Sequence, residues 1–378
     1  MPNILSIGTG GCGNKMLEKL MSIIDVSELR NNYDGLFMNS NLTEMECLDH
    51  FNHKTNALII NGAGTGKDQS VGLQSVEADK SKIANTLSRL VDVYDAANII
   101  TSMDGGFGSS SISTLSKFLR QLKPELKINI LAIAPKLESS EESLKNTLAT
   151  YNMIKRLLGF TNDNNKAIIN GATIVDNEMM RNMSEDEFNE EVMQQYLDAF
   201  ECAESGLDVN DQLRVASANG YRLPLQLNEN IPNLKGSIDI AVNGSPFMIP
   251  NSFNNFFDNK EKILVSHIAG VIDSEVFSIE DWRNIFRVKT FDKIVDGELN
   301  SIVLGGLTMP NERMELYQIA LKELSDIQIN HKEDIFEFEI ENNKTETPKK
   351  QPVSVKAKKQ SRKKKLLNLL ESNNVWDN

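Results

Sequence analysis

Short apolar runs alternate with amphipathic stretches over the first half of the chain. Residues 3–7, NILSI, form an apolar run stopped by glycine, which predicts a buried strand. Lys15–Ile24 follows with Met16, Leu17, Leu20 and Met21 at helical spacing. The same pattern predicts strands at Gly35–Met38, Ala57–Ile60, Asn98–Thr101, Ile128–Ala134 and Thr173–Val175, with helices over about 72–93, 111–122 and 140–158. Strands alternating with helices specify an α/β fold with a doubly wound, mainly parallel sheet. Ligands of such sheets gather outside the carboxyl ends of the strands.

A longer helical pattern covers residues 184–205, with Phe188, Val192, Tyr196, Phe200 and Ala203 on one face and Ser205-Gly206 as its C-cap. This central helix joins the first domain to a strand-rich region, with predicted strands at Ser237–Val242, Ile263–Ile268 and Ser301–Leu304, read as a smaller α+β domain. A C-terminal helix begins near Pro310-Asn311 and continues in broken form towards Phe338. The expected boundaries are 1–183, 184–205, 206–308, 309–341 and a disordered basic tail at 342–378. The tail is rich in Lys, Pro and Ser and poor in apolar residues until Leu366, too little to offset its ordering entropy.

Charge divides the chain in the same place. The net charge is −13, yet residues 344–378 hold ten Lys/Arg against three Asp/Glu, so the tail is +7 and the body −20. An acidic body argues against nucleic-acid binding over a broad folded surface. Three dispersed cysteines and four scattered histidines give neither a disulfide framework nor a metal cluster, and no apolar run approaches a membrane span. A soluble, cytoplasmic protein is expected.

Candidate chemistry lies in two glycine-rich turns, GTGGCGN at Gly8–Asn14 and DGGFGSSS at Asp104–Ser111. Each falls between a predicted strand and helix. Their N–H groups and the following helix ends suit a polyphosphate held from two sides. Gly8, Gly10 and Gly13 satisfy the G-x-G-x-x-G dinucleotide fingerprint, but the second strand ends in Asn39-Ser40-Asn41, without the carboxylate a nicotinamide-dinucleotide ribose requires. GAGTGKD at Gly62–Asp68 is one residue short of a Walker loop and has Asp68 where Ser or Thr should hold magnesium. It is left as a third loop, lining a phosphate pocket or simply solvated.

Together these motifs resemble the tubulin/FtsZ family of GTPases, in order, over most of residues 1–308. GTGGCGN is similar to the family's first phosphate loop, MNSN at Met38–Asn41 to its second and GAGTG at Gly62–Gly66 to its third. DGGFGSSS is similar to its signature loop, with Asp104 replacing a glycine, Phe107 a threonine and Ser110 the last glycine. The resemblance implies GTP/GDP and Mg2+ as cofactors, and contacts from Gly10, Gly11, Cys12, Gly13, Asn14, Asn39, Asn41, Gly64, Gly105, Gly106, Phe107, Gly108 and Ser109. It assigns Asn177 and Asp186 to the base, with Asn189 an alternative register for the latter. Glu138 is assigned to the ribose, although Ser139 and Glu142 also read as a capping box.

In the family, acidic residues on the loop after the central helix serve the neighbouring subunit's nucleotide. Asp208 and Asp211 of GLDVNDQLRVASANGY fall on those positions, with Gly220-Tyr221 on the closing pair. Their other reading is as N-caps of the next helix. An active site completed by stacking implies a head-to-tail filament, because a heterologous contact that does not close propagates. The diverged signature loop, the late helix and the basic tail resemble the TubZ-type bacterial tubulins of plasmids and phages. That likeness implies DNA segregation, with the tail meeting a DNA-bound adaptor of the TubR type or DNA itself. A division or scaffold filament that binds GTP with little turnover is the alternative.

Overall fold

The computed structural model describes residues 2–159, 167–200, 209–253, 262–278 and 280–342. The strands are Ile4–Thr9 (β1), Tyr33–Asn39 (β2), Ala57–Ile59 (β3), Ala96–Ser102 (β4), Lys127–Ala134 (β5), Gly171–Asp176 (β6), Gly220–Gln226 (β7), Ile263–Ile272 (β8), Phe286–Asp296 (β9) and Ser301–Leu307 (β10). They form one sheet in the order β3-β2-β1-β4-β5-β6-β7-β10-β8-β9. β3 to β7 pair in parallel, as do β8 and β9, whereas β10 runs antiparallel to both β7 and β8. Strand order reverses between β1 and β4, the place where doubly wound sheets leave a crevice for a ligand.

The helices are Gly10–Asp25 (α1), Leu42–Glu46 (α2), Gln69–Ala78 (α3), Lys80–Leu90 (α4), Phe107–Leu122 (α5), Glu141–Leu157 (α6), Glu185–Phe200 (α7), Val209–Ala216 (α8), Leu234–Gly244 (α9), Trp282–Ile285 (α10) and Asn311–Asn342 (α11). α1 buries Met16, Leu17, Leu20 and Ile24, and α5 buries Ile112, Leu115 and Leu119, apolar residues at three- and four-residue steps. These stripes cover β strands made almost entirely of buried residues, such as β4 and β6. Near-continuous apolar strands are what a parallel sheet covered on both faces requires.

Several expected elements differ. The helix expected over 72–93 is two helices, broken at Asp79, whose carboxylate accepts hydrogen bonds from the backbone N–H and side-chain amide of Asn61. Ser237–Val242, expected as a strand, lies in α9: Asn233 caps the Lys235 N–H, and Leu234, Ser237, Ile238 and Val242 are buried at helical spacing. Strands β7 and β9 were not anticipated, and β7 continues the first sheet by pairing Gly171 with Gly220 and Ala172 with Tyr221. Residues 1–326 form one compact unit. The Ser205-Gly206 cap and the tail beyond residue 342 lie outside the described residues.

Away from the crevice, His50 ties the loop after α2 to α1, its Nδ1 2.6 Å from Glu18 and its Nε2 3.1 Å from Asp25. Burial opposes the charged imidazole, but Glu18 and then Asp25 outweigh it and raise the pKa above its ordinary value near 6.5. A raised folded-state pKa gives stability that is complete below the unfolded value and is lost as pH climbs through the folded one. Urea midpoints of the wild type are therefore expected to fall between pH 6 and pH 8.5 by more than those of His50→Gln. Equal falls would show that this cluster does not set the slope.

Candidate functional site

The carboxyl ends of β1 and β4 are adjacent, and each runs directly into a glycine turn and a helix. Gly10 takes φ +73°, a left-handed conformation that favours glycine, which lets α1 start immediately after Thr9. Gly10–Asn14 are consequently the first turn of α1 rather than a loop before it, and Phe107–Ser110 likewise open α5. The two turns touch. A Cβ at Gly10 would lie 3.1 Å from the Gly108 nitrogen, and the Thr9 and Ser111 hydroxyls are hydrogen-bonded at 2.7 Å.

Neither α1 nor α5 has a side-chain N-cap or an acidic residue in its first turn. α3, α6 and α9 are capped by Asp68, Ser140 and Asn233, and α2, α4 and α10 also lack a side-chain cap, so it is their start at the switch point that sets α1 and α5 apart. Two helix ends with outward N–H groups therefore converge at the switch point, an arrangement suited to an anion. Ser140 rather than Ser139 caps α6. Asp68, the residue that breaks the Walker pattern, caps α3 by accepting from the Ser70 and Val71 N–H groups.

The expected site residues divide by what their side chains already hold. Asn14 is buried and bonds the Met38 backbone with both ends of its amide, fixing the end of β2 against α1. Ser109 is buried, donates to the Gly105 carbonyl and accepts from Gln69. Phe107 is packed in the core, so it brings no polar side chain to the crevice. Burial, with the charges of Asp104 and Glu185 adding and Lys15 opposing, pushes the Cys12 thiol up to about 12. It stays protonated at neutral pH and is no nucleophile. Gly11, Gly13, Gly64, Gly105 and Gly106 offer only backbone.

Asn39 and Asn41 converge on a residue that the sequence reading missed, since their side-chain amides donate to the two carboxylate oxygens of Glu44 at 2.8 and 2.9 Å. Glu44 lies beside Gly11, where an added Cβ would be 2.8 Å from Oε2. The signal was present, for Asn41 and Glu44 have capping-box spacing.

Farther along the same edge, Asn177 opens a short 3-10 turn after β6. The preceding residue, Asp176, is held bidentately by Arg313 of α11 at 2.7 and 3.0 Å. The Leu137 N–H donates to Glu178, joining this turn to the loop that carries exposed Glu138. Asp186 is exposed and paired with Lys19 at 2.7 Å, next to a Lys15–Glu185 pair. Asn189 is half-buried on the same helix.

The described part of the acidic segment, from Val209 on, lies at the other edge. Asp211 is the third residue of α8, inside its first turn and not at the N-cap, and its carboxylate is 3.7 Å from Lys293 of β9. Gln212 and Leu213 of α8 line a small cavity with Ile4, Tyr33 and Ala96, which begin β1, β2 and β4. The glycine turns follow the opposite ends of those strands, about 20 Å away at 3.3 Å per residue. Asp208 lies outside the described residues.

Residues 3–184 match the model of the tubulin/FtsZ family GTPase domain. A tubulin-like protein, TubZ, from a Clostridium botulinum C phage is 24% identical over 153 residues, 40% of this chain and 39% of the relative. CetZ4 of Haloferax volcanii is 24% identical over 124 residues, 32% of each chain. These alignments span under two-fifths of the relatives' lengths. The GTPγS-form protofilament structure of Bacillus thuringiensis serovar israelensis TubZ superposes with a TM-score of 0.69 at 16% identity, covering 89% of this chain and 94% of that one. At that identity the likeness is one of fold.

Proposed function

We infer, for a chain whose residues 3–184 are a GTPase domain of the tubulin/FtsZ family, that it binds GTP at the β1/β4 crevice and polymerises head to tail into dynamic filaments. Asp208 and Asp211 of one subunit complete the hydrolytic site of the next, and the filament segregates plasmid or phage DNA. The observation that carries this reading is the separation of the two half-sites: uncapped helix ends at the carboxyl edge of the sheet, and Asp211 at the amino edge.

A phosphate at the crevice receives N–H groups of α1 and α5 in a fixed arrangement. Phosphoryl transfer depends mainly on such positioning and charge stabilisation. Mg2+ needs one or two carboxylates beside substrate phosphates, and Glu44, at the rim beside Gly11, has the oxygens to hold it there. The cation would supply neutralisation of phosphate charge. A carboxylate brought in by the next subunit orients the attacking water, so turnover belongs to the contact and not to the monomer. The protofilament form of the TubZ neighbour supports assembly of this kind. The +7 tail supplies a polycation for a DNA-bound TubR-type adaptor or for phosphates.

Sedimentation tests the reading directly. With GTP and Mg2+ the full chain is expected to pellet above a threshold concentration, with phosphate release per subunit rising across it, while GDP leaves the protein in the supernatant. A chain that ignores GTP and binds NAD, or releases phosphate at a constant rate per subunit, would refute it.

A further inference from the structure

Asp104 puts a negative charge at the entrance to α5, in a turn otherwise arranged to receive an anion. Lys67 answers it. From the third loop its Nζ lies 2.7 Å from Asp104 Oδ2 and 2.7 Å from Ser143 Oγ, and that hydroxyl donates to the same carboxylate oxygen at 3.0 Å. Asn146 locks the two backbones together, donating to the Lys67 carbonyl at 2.8 Å and the Asp104 carbonyl at 3.1 Å. Lys67 itself takes φ +70°, which is costly for a side-chain-bearing residue and indicates a backbone held by its surroundings. The one charge that the signature loop adds to its glycine cradle and the cation of the third loop are thus each other's partners.

The pair is asymmetric in freedom. Asp104 is 15% exposed and keeps Ser143 as a second donor, whereas the Lys67 side chain is 52% exposed on a flexible stem. The cation can leave without stranding the carboxylate or moving either backbone. A pair this open to solvent holds weakly. A phosphate oxygen offers the ammonium a stronger, doubly charged partner.

We propose that the Lys67–Asp104 pair counts phosphates: Lys67 rests on Asp104 beside a nucleoside diphosphate and swings onto the terminal phosphate of a triphosphate. The pair thereby sets the preference for triphosphate over diphosphate. Asp104 holds that preference down by competing for the cation and repelling the terminal phosphate, and Lys67 raises it. This rests on the reading that the crevice binds a guanine nucleotide.

Equilibrium titration of fluorescently labelled GTPγS and GDP, with Mg2+ and at protein concentrations below assembly, provides the test. Lys67→Met is expected to weaken GTPγS about tenfold and GDP less than about threefold, and Asp104→Asn to strengthen GTPγS about tenfold with GDP little changed. If the wild type binds both nucleotides and neither variant moves the ratio, the sensor is wrong and the nucleotide site stands. If the wild type binds neither, the site itself is wrong and the sensor falls with it. Asp104→Asn removes charge without volume, so it decides the matter alone should Lys67→Met fail to fold.

Discussion

Asp211→Ala is expected to lower GTP turnover in the assembled state by about a hundredfold or more while leaving GTP affinity of the unassembled chain unchanged. The direction follows from placement. Asp211 sits on α8 with the starts of β1, β2 and β4, and a nucleotide at the glycine turns lies a full strand length away. Loss of the carboxylate cannot disturb that subunit's own phosphates. It removes a group that a neighbour's water would use, so the defect appears in phosphate release at concentrations where wild-type protein pellets. Asp211 also forms an ion pair with Lys293 at 3.7 Å and lies in the first turn of α8, where a carboxylate favours the helix dipole by roughly 0.5 kcal/mol. A melting temperature within a few degrees of wild type would separate the chemical loss from a structural one. Unchanged turnover at equal polymer mass would remove Asp211 from the chemistry and leave Asp208 as the group to test.

The legible part of this molecule was its parallel half. Buried strands such as β4 and β5 are mostly apolar, interrupted by Asn98 and Asn129, and the helices covering them show their stripes in sequence. The starts of α1 and α5 lie earlier than expected because their first turns, Gly-Gly-Cys-Gly and Phe-Gly-Ser-Ser, carry too few apolar residues to show a helical period. The antiparallel half was harder. SIDIAV in α9 alternates like a strand, and only the Asn233 cap reveals the helix. In β9 the sequence FRVKTFDKIVD places exposed charged residues along a sheet edge, with few buried apolar positions to announce a strand. Within the site, the glycines marked the crevice, but Lys67 and Asp104 stand 37 residues apart and reveal their pairing only in space. Glu44 is within reach of the capping-box rule beside Asn41, but its hold on both asparagines and its place beside Gly11 exist only in the fold.

Gly13→Ala is expected to prevent folding of the amino-terminal half, at a cost of at least about 4 kcal/mol, whereas Gly10→Ala should fold and lose nucleotide affinity. The two glycines share one fingerprint but do different physical jobs. Gly10 supplies a left-handed turn and a close approach to the facing turn, the nearest backbone atom to an added Cβ lying 3.1 Å away. An alanine there costs about 1–2 kcal/mol of conformational strain and fills the anion's approach. At Gly13 the added methyl would overlap the Ile100 carbonyl oxygen and lie 3.1 Å from the Thr101 Cα, both in the central strand β4. No side chain can rotate away, so α1 must lift from the sheet and uncover Met16, Leu17 and Leu20, all of which have zero exposure. Soluble yield and urea unfolding measure the first effect, and labelled-nucleotide titration the second. A stable Gly13→Ala chain would mean that α1 can be repositioned without losing the fold, and that the close helix-to-strand approach is not what fixes the first phosphate turn.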